Sequence, residues 1–139
     1  MPAKAVAKKA SQHKQADFAE TFQQLRAILA PYTRKKMRVV QDTPEYYYIE
    51  TEFPVYRGKP VMFAAVRVGK SYVSYHLLPL YMNPAMQATL SPELKKRKQG
   101  KACLNFTRPD KQLFAELSKL TADGLECFKK LAAKLQENP

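Results

Sequence analysis

The chain has 139 residues, 45% of them apolar and 11% aromatic, which suits one globular domain and excludes a disordered chain. Lys and Arg number 24 against 12 Asp and Glu, a formal charge of +12 that favours acidic partners such as nucleic acid, anionic lipid or phosphate ligands and leaves the fold open. Two cysteines, Cys103 and Cys127, are too few for a disulfide framework and fit a reduced, cytoplasmic setting.

Residues 1–15 carry Lys4, Lys8, Lys9 and Lys14 among Ala, Gln and Ser, with too few apolar anchors to offset the entropy of ordering. This stretch reads as a basic flexible tail ahead of a single domain over residues 16–136. It lacks the apolar run of a signal peptide, and no segment reaches the ~18 consecutive apolar residues of a membrane helix, so no membrane association is expected.

Asp17 is placed to cap a helix whose apolar residues Phe18, Phe22, Leu25, Ile28 and Leu29 recur on one face. Pro31 is expected to stop it near Ala30. The period then changes. Met37–Gln41 reads as a strand, residues 42–45 as a turn, and Tyr46–Phe53 as a second strand with Tyr47, Ile49, Thr51 and Phe53 on the face better suited to burial. Residues 59–82 read as a long hairpin broken at Gly69-Lys70. Its first strand is apolar on both faces up to Arg67, as a central strand would be, and its second presents a mixed face of Tyr72, Ser74 and His76.

Asn83-Pro84 opens a short helical turn through Met86 and Leu90, and Ser91-Pro92-Glu93 starts another that runs into the basic segment LKKRKQGK and ends at Gly100. Lys101–Phe106 alternates as a fifth strand, with Ala102, Leu104 and Phe106 on one side and Cys103 and Asn105 on the other. Pro109-Asp110 opens a C-terminal helical region with the stripes Leu113, Phe114, Leu117, Leu120 and Leu125, Phe128, Leu131, Leu135; a break into two helices is expected around Thr121–Gly124. No internal repeat is present. Grouped strands with helices at both ends predict an α+β, two-layer domain, an antiparallel sheet of about five strands covered on one face by the N- and C-terminal helices.

His76 is the one histidine within the predicted domain, and without partners it makes neither a triad nor a metal site; it is the weak candidate for acid–base catalysis, and otherwise no catalytic residue, metal site or cofactor is expected. Cys103 would need a base beside it to act as a nucleophile, and a small buried hydrophobe is the default for both cysteines. Lys95, Lys96, Arg97, Lys98 and Lys101 form the densest charge, and Arg34, Lys35, Lys36 and Arg38 a second cluster. On a shared face the two clusters would make an anion site, with Tyr46, Tyr48, Tyr72 or Tyr75 able to stack bases.

The runs VGKSYVSYHLLPLYMNP, SPELKKRKQGKACLNF and DKQLFAELSKLT resemble a YdhG-like domain, an uncharacterised bacterial family, across roughly residues 17–130. The resemblance implies a frataxin-like arrangement and cytoplasmic occurrence in bacteria. Some relatives are described as intracellular iron chaperones, but iron of that kind prefers crowded carboxylates. This chain offers Asp17 and Glu20 on the first helix, with Glu45, Glu50 and Glu52 scattered among cations. The expected function is a small non-enzymatic binding or interaction domain for an anionic or small-molecule ligand. Its expected ligand-binding residues are Tyr72, Ser74, His76, Lys95, Lys96, Arg97, Lys98 and Lys101. Iron carriage and acid–base catalysis by His76 are the alternatives; nucleic acid is the less favoured partner.

Overall fold

The structure is a computed structural model that describes residues 17–53, 55 and 59–137. The basic tail over 1–15 and residues 56–58 of the loop before the hairpin lie outside the described residues, as does the side chain of Leu135.

Helix α1 spans residues 17–29 and buries Phe18, Phe22, Leu25 and Leu29, the stripe its spacing predicts. The α-helix ends at Leu29, one residue before Ala30, as Pro31 is expected to make it. A 3-10 turn, Ala30–Arg34, follows directly with Pro31 in its first two positions, where no amide donor is required. Asp17 is already helical, so the cap itself falls outside the described residues.

Among the described residues six strands follow: β1 (Met37–Asp42), β2 (Tyr46–Thr51), β3 (Met62–Val68), β4 (Val73–Leu77), β5 (Lys98–Gln99) and β6 (Cys103–Phe106). They form one antiparallel sheet in the order β1-β2-β3-β4-β6-β5. The strand beyond the expected five is β5, cut from the basic segment expected to be helical. Gly100, at φ 69°, makes the tight reversal that folds Lys98–Gln99 back onto Cys103–Leu104, a conformation glycine adopts without a Cβ penalty.

Between β4 and β5 run three short helices, α2 (Leu78–Met82), α3 (Pro84–Ala88) and α4 (Pro92–Lys95). The second hairpin strand therefore ends at Leu77 rather than near Met82. Pro79 has no amide for the ladder and sits in the first turn of α2, where that lack costs nothing. Asn83 and Ser91 cap α3 and α4, accepting from the amides of Ala85 and Leu94. Ser91 also donates its hydroxyl and its amide to the Glu116 carboxylate, at 2.6 and 2.9 Å.

The final helix α5 (Lys111–Glu137) is continuous over 27 residues, with Asp110 Oδ1 accepting from the Leu113 amide at its start. The expected break around Thr121–Gly124 does not occur, because both residues serve packing. Thr121 Oγ1 donates to Leu117 O and accepts from the buried Tyr75 hydroxyl at 2.5 Å. Gly124 lets α5 approach α2 so closely that a Cβ there would lie 3.0 Å from Pro79 Cβ and Cγ.

Helices α1 and α5 cover one face of the sheet. That face presents Tyr47, Ile49 and Thr51 from β2, Ala64 and Val66 from β3, Val73, Tyr75 and Leu77 from β4, and Leu104 and Phe106 from β6, all buried. Phe63 joins them through an irregularity. Ile49 pairs with Ala64 but Glu50 pairs with Met62, so Phe63 is the extra residue of a bulge. Simple alternation would place Phe63 opposite in sense to Ala64; instead it is fully buried, 5.5 Å from the Tyr32 ring and 5.8 Å from the Phe128 ring. No described helix is long and apolar enough to cross a membrane.

Gly124→Ala tests the close approach of α2 and α5. Alanine improves helix propensity by about 1 kcal/mol. A rigid proline ring at 3.0 Å must then shift, an overpacking cost of roughly 1–3 kcal/mol. Urea denaturation should show net destabilisation; a more stable variant would contradict that packing.

Candidate functional site

The second face of the sheet is covered by no described element. The cross-strand registers lay its side chains out in lateral rows. One row runs Gln41, Tyr48, Ala65, His76, Cys103, Gln99, crossing all six strands. A second runs Tyr46, Arg67, Ser74, Asn105. Neighbours within a row are ~5 Å apart and the rows are ~7 Å apart, as pleated strands require. A third short row, Arg38, Glu50, Met62, closes the end of the face nearest the start of β1, where the Arg38 guanidinium pairs with the Glu50 carboxylate.

Toward β5 the polar groups form a connected network. Ser74 Oγ donates to Asn105 Oδ1 at 2.8 Å, Cys103 Sγ donates to the same oxygen at 3.3 Å, and Asn105 Nδ2 donates to Gln99 Oε1 at 2.7 Å. The Tyr72 hydroxyl reaches Gln99 Oε1 at 3.5 Å. This network fixes Asn105 with its amide nitrogen toward β5. On the β2–β3 side Tyr46 and Tyr48 meet edge to face with centroids 6.1 Å apart, and the Arg67 guanidinium lies 5.7 Å from the Tyr46 ring centroid.

Two titratable groups sit side by side across β4 and β6. Partial burial lowers the His76 pKa from its ordinary value, and the nearby Arg67 charge lowers it further. Burial raises the Cys103 thiol, with the neighbouring Ser74 hydroxyl opposing in part. Both groups therefore favour their neutral forms near neutrality. An imidazolium–thiolate pair, which a cysteine nucleophile needs, is disfavoured on both sides. Among the described residues no three His, Cys, Asp or Glu gather as a metal site would require.

Of the residues expected at the site, Tyr72, Ser74 and His76 do share this face. The basic segment joins them through Gln99, and by alternation Arg97 falls on the same side, its carbonyl accepting from the Asn105 amide at 2.8 Å. The lysines are directed elsewhere. Lys98 donates to Gln87 Oε1, Lys96 pairs with Glu93, Lys101 stands 5.6 Å from the Tyr81 ring, and Lys95 is exposed at the end of α4.

The two basic clusters do not pool into one site, and only Arg38 and Arg97 fall on the open face, at its opposite edges. Residues 34–38 lead into β1 and residues 95–101 build β5, and these strands are opposite edges of the sheet. Tyr75, expected as a stacking ring, is fully buried on the helix side, where desolvation raises its pKa strongly. Sequence reasoning missed Arg67, Gln99 and Asn105. The alternation of residues 103–106 put Asn105 on the correct side, but that β6 lies beside β4 is a topological fact no local pattern carries. Compared with known proteins, the chain matches no family model, no curated protein and no solved structure.

The His76 environment has a directional consequence. A histidine whose folded pKa lies below the ordinary 6.5 leaves the unfolded chain binding more protons, so its contribution to stability is present above about pH 6.5 and is lost as pH falls through the folded pKa. In an NMR titration the His76 ring should titrate below 6.5. Arg67→Gln should move that midpoint upward yet not fully to 6.5, since burial is the larger cause; an unmoved midpoint would remove Arg67 from the account.

Proposed function

We propose that this chain is a small non-enzymatic binding domain that takes an anionic ligand on the open face of its sheet. The observation that carries the proposal is the uncovered pair of rows holding Tyr46, Tyr48, Arg67, Ser74, His76 and Asn105, with Arg38 and Arg97 on the same face at opposite edges of the sheet. Half-exposed tyrosines offer flat apolar surface, Arg67 offers a fork of donors, and the Asn105–Gln99–Tyr72 network offers directional polar groups. Six strands place the two basic edges roughly 24 Å apart, a span that an extended polyanion would cross with the tyrosines beneath it. The YdhG-like affiliation, the frataxin-like naming of the fold and a cytoplasmic setting belong to the same proposal; the helix–sheet–helix order supports the fold naming alone.

An enzyme using His76 beside Cys103 is the second reading, favoured by their cross-strand adjacency. The directions of both pKa shifts weigh against it. His76→Ala separates the two, because an acid–base residue supplies about 100-fold or more in rate whereas a platform loses little binding.

Binding of heparin and of a labelled single-stranded oligonucleotide should be measurable at low salt. If about four phosphates are neutralised, the log–log salt slope should be roughly −3 to −4. Tyr48→Ala should weaken the oligonucleotide by about tenfold, since stacking contributes ~1–3 kcal/mol per base, and heparin little. A salt-insensitive interaction, or none with either probe, would end the proposal.

A further inference from the structure

A second feature lies outside the sheet face. Beside the start of β1 is a groove of about 610 Å³ whose walls carry four cations, Arg34, Lys35, Lys36 and Lys129, over a floor of Phe53 and the α5 alanines Ala132 and Ala133. Among the described residues no carboxylate lines it. Three segments far apart in sequence converge here, the turn after Ala30–Arg34, the end of β2 and the C-terminal half of α5. The backbone beneath is tied down: Lys36 O accepts from the Glu52 amide at 2.9 Å, and Phe53 O accepts from Thr51 Oγ1 at 2.8 Å.

The cations are unequally engaged. Lys35 stands 5.4 Å from the Tyr32 ring centroid and Lys129 pairs loosely with Glu126 at 3.7 Å, both contacts on the groove's margin. The side chains of Arg34 and Lys36 make no ion pair or hydrogen bond among the described residues. A groove of one sign of charge with an apolar floor suits an anion attached to something flat and apolar. The groove between α2–α3 and α5, about 480 Å³, is different in kind, since Asp123 and Glu126 face Lys130 and Lys134 there and cancel the field.

We propose that the groove beside β1 binds a phosphate monoester bearing a flat ring, of the size and chemistry of a nucleoside monophosphate. The phosphate dianion sits among Arg34, Lys36 and Lys129, where the guanidinium can engage two oxygens at once. The ring lies against Phe53, Ala132 and Ala133, and the volume falls in the range of ~300–1,000 Å³ usual for small-ligand sites. This site is separate from the sheet face, so either can fail without the other.

The test is an amide NMR titration of the full chain with adenosine 5′-monophosphate, adenosine and inorganic phosphate in parallel. The nucleotide should shift the amides of Lys36, Phe53, Ala132 and Ala133, and each half alone should bind on the order of tenfold more weakly. Lys36 has φ 62°, so Lys36→Gly removes the cation while giving the backbone a residue that accepts this conformation. It should keep the fold and weaken the nucleotide about tenfold, with Lys129→Gln acting in the same direction. Shifts confined to open-face residues such as Tyr48 and His76, an unchanged groove response in Lys36→Gly, or inorganic phosphate binding as well as the nucleotide would each overturn the proposal.

Discussion

Phe63 is the point at which α5 and the 3-10 turn that follows α1 meet the sheet. Its ring touches Tyr32, just beyond α1, and Phe128 on α5, and it is fully buried. Burying such a ring stabilises by roughly 1.5–3 kcal/mol from area alone, with aromatic contacts adding about 0.5–1.5 kcal/mol each. The ring reaches that position only because the β2–β3 ladder slips by one residue at Ile49–Glu50. A strictly alternating β3 would direct Phe63 into solvent and leave a gap between the helices. Much of the two-layer arrangement therefore depends on one local departure from regular pairing.

Sealing one face decides what the other can do. The covered side takes the large apolar residues, and its buried hydroxyls are satisfied, with Thr121 bonded to both Tyr75 and Leu117. What remains for the open side is shorter and more polar: Ser74, His76, Cys103, Asn105 and Gln99 on the β4–β6–β5 half, and Tyr46, Tyr48, Glu50 and Arg67 on the β2–β3 half. Partial burial on that face pushes His76 and Cys103 toward neutrality in opposite directions of pKa, one lowered and one raised, because desolvation disfavours whichever form is charged. On the proposed reading, this face would hold its ligand through hydrogen bonds, ring contacts and Arg67.

The excess positive charge is divided rather than pooled. One basic cluster precedes β1 and the other forms β5, so the sheet order sets them at opposite edges. Within the second cluster, alternation divides neighbours again, with Lys98 held by Gln87 on the helix side and Gln99 on the open face. The cluster before β1 gains a companion from far along the chain when α5 brings Lys129 beside Phe53 and Lys36. Charge counted along a sequence measures how many cations exist, whereas the fold decides which of them share a field.

The stripes Phe18, Phe22, Leu25, Leu29 and Leu113, Leu117, Leu120, Leu125, Phe128, and the alternation of residues 46–51, settled the α+β class and which faces are buried, because helix and strand periods are local properties of the chain. The cap at Ser91 and the helix starts at Asn83 and Asp110 were equally legible, since a side chain needs only its own helix start to cap. The continuity of α5 through Gly124, the bulge at Phe63 and the pairing of β6 with β4 were decided only in three dimensions. Each depends on a contact between residues distant in sequence: Gly124 with Pro79, Phe63 with Phe128, His76 with Cys103. Such contacts leave no periodic trace, because the residue that makes a position favourable is not among its neighbours along the chain.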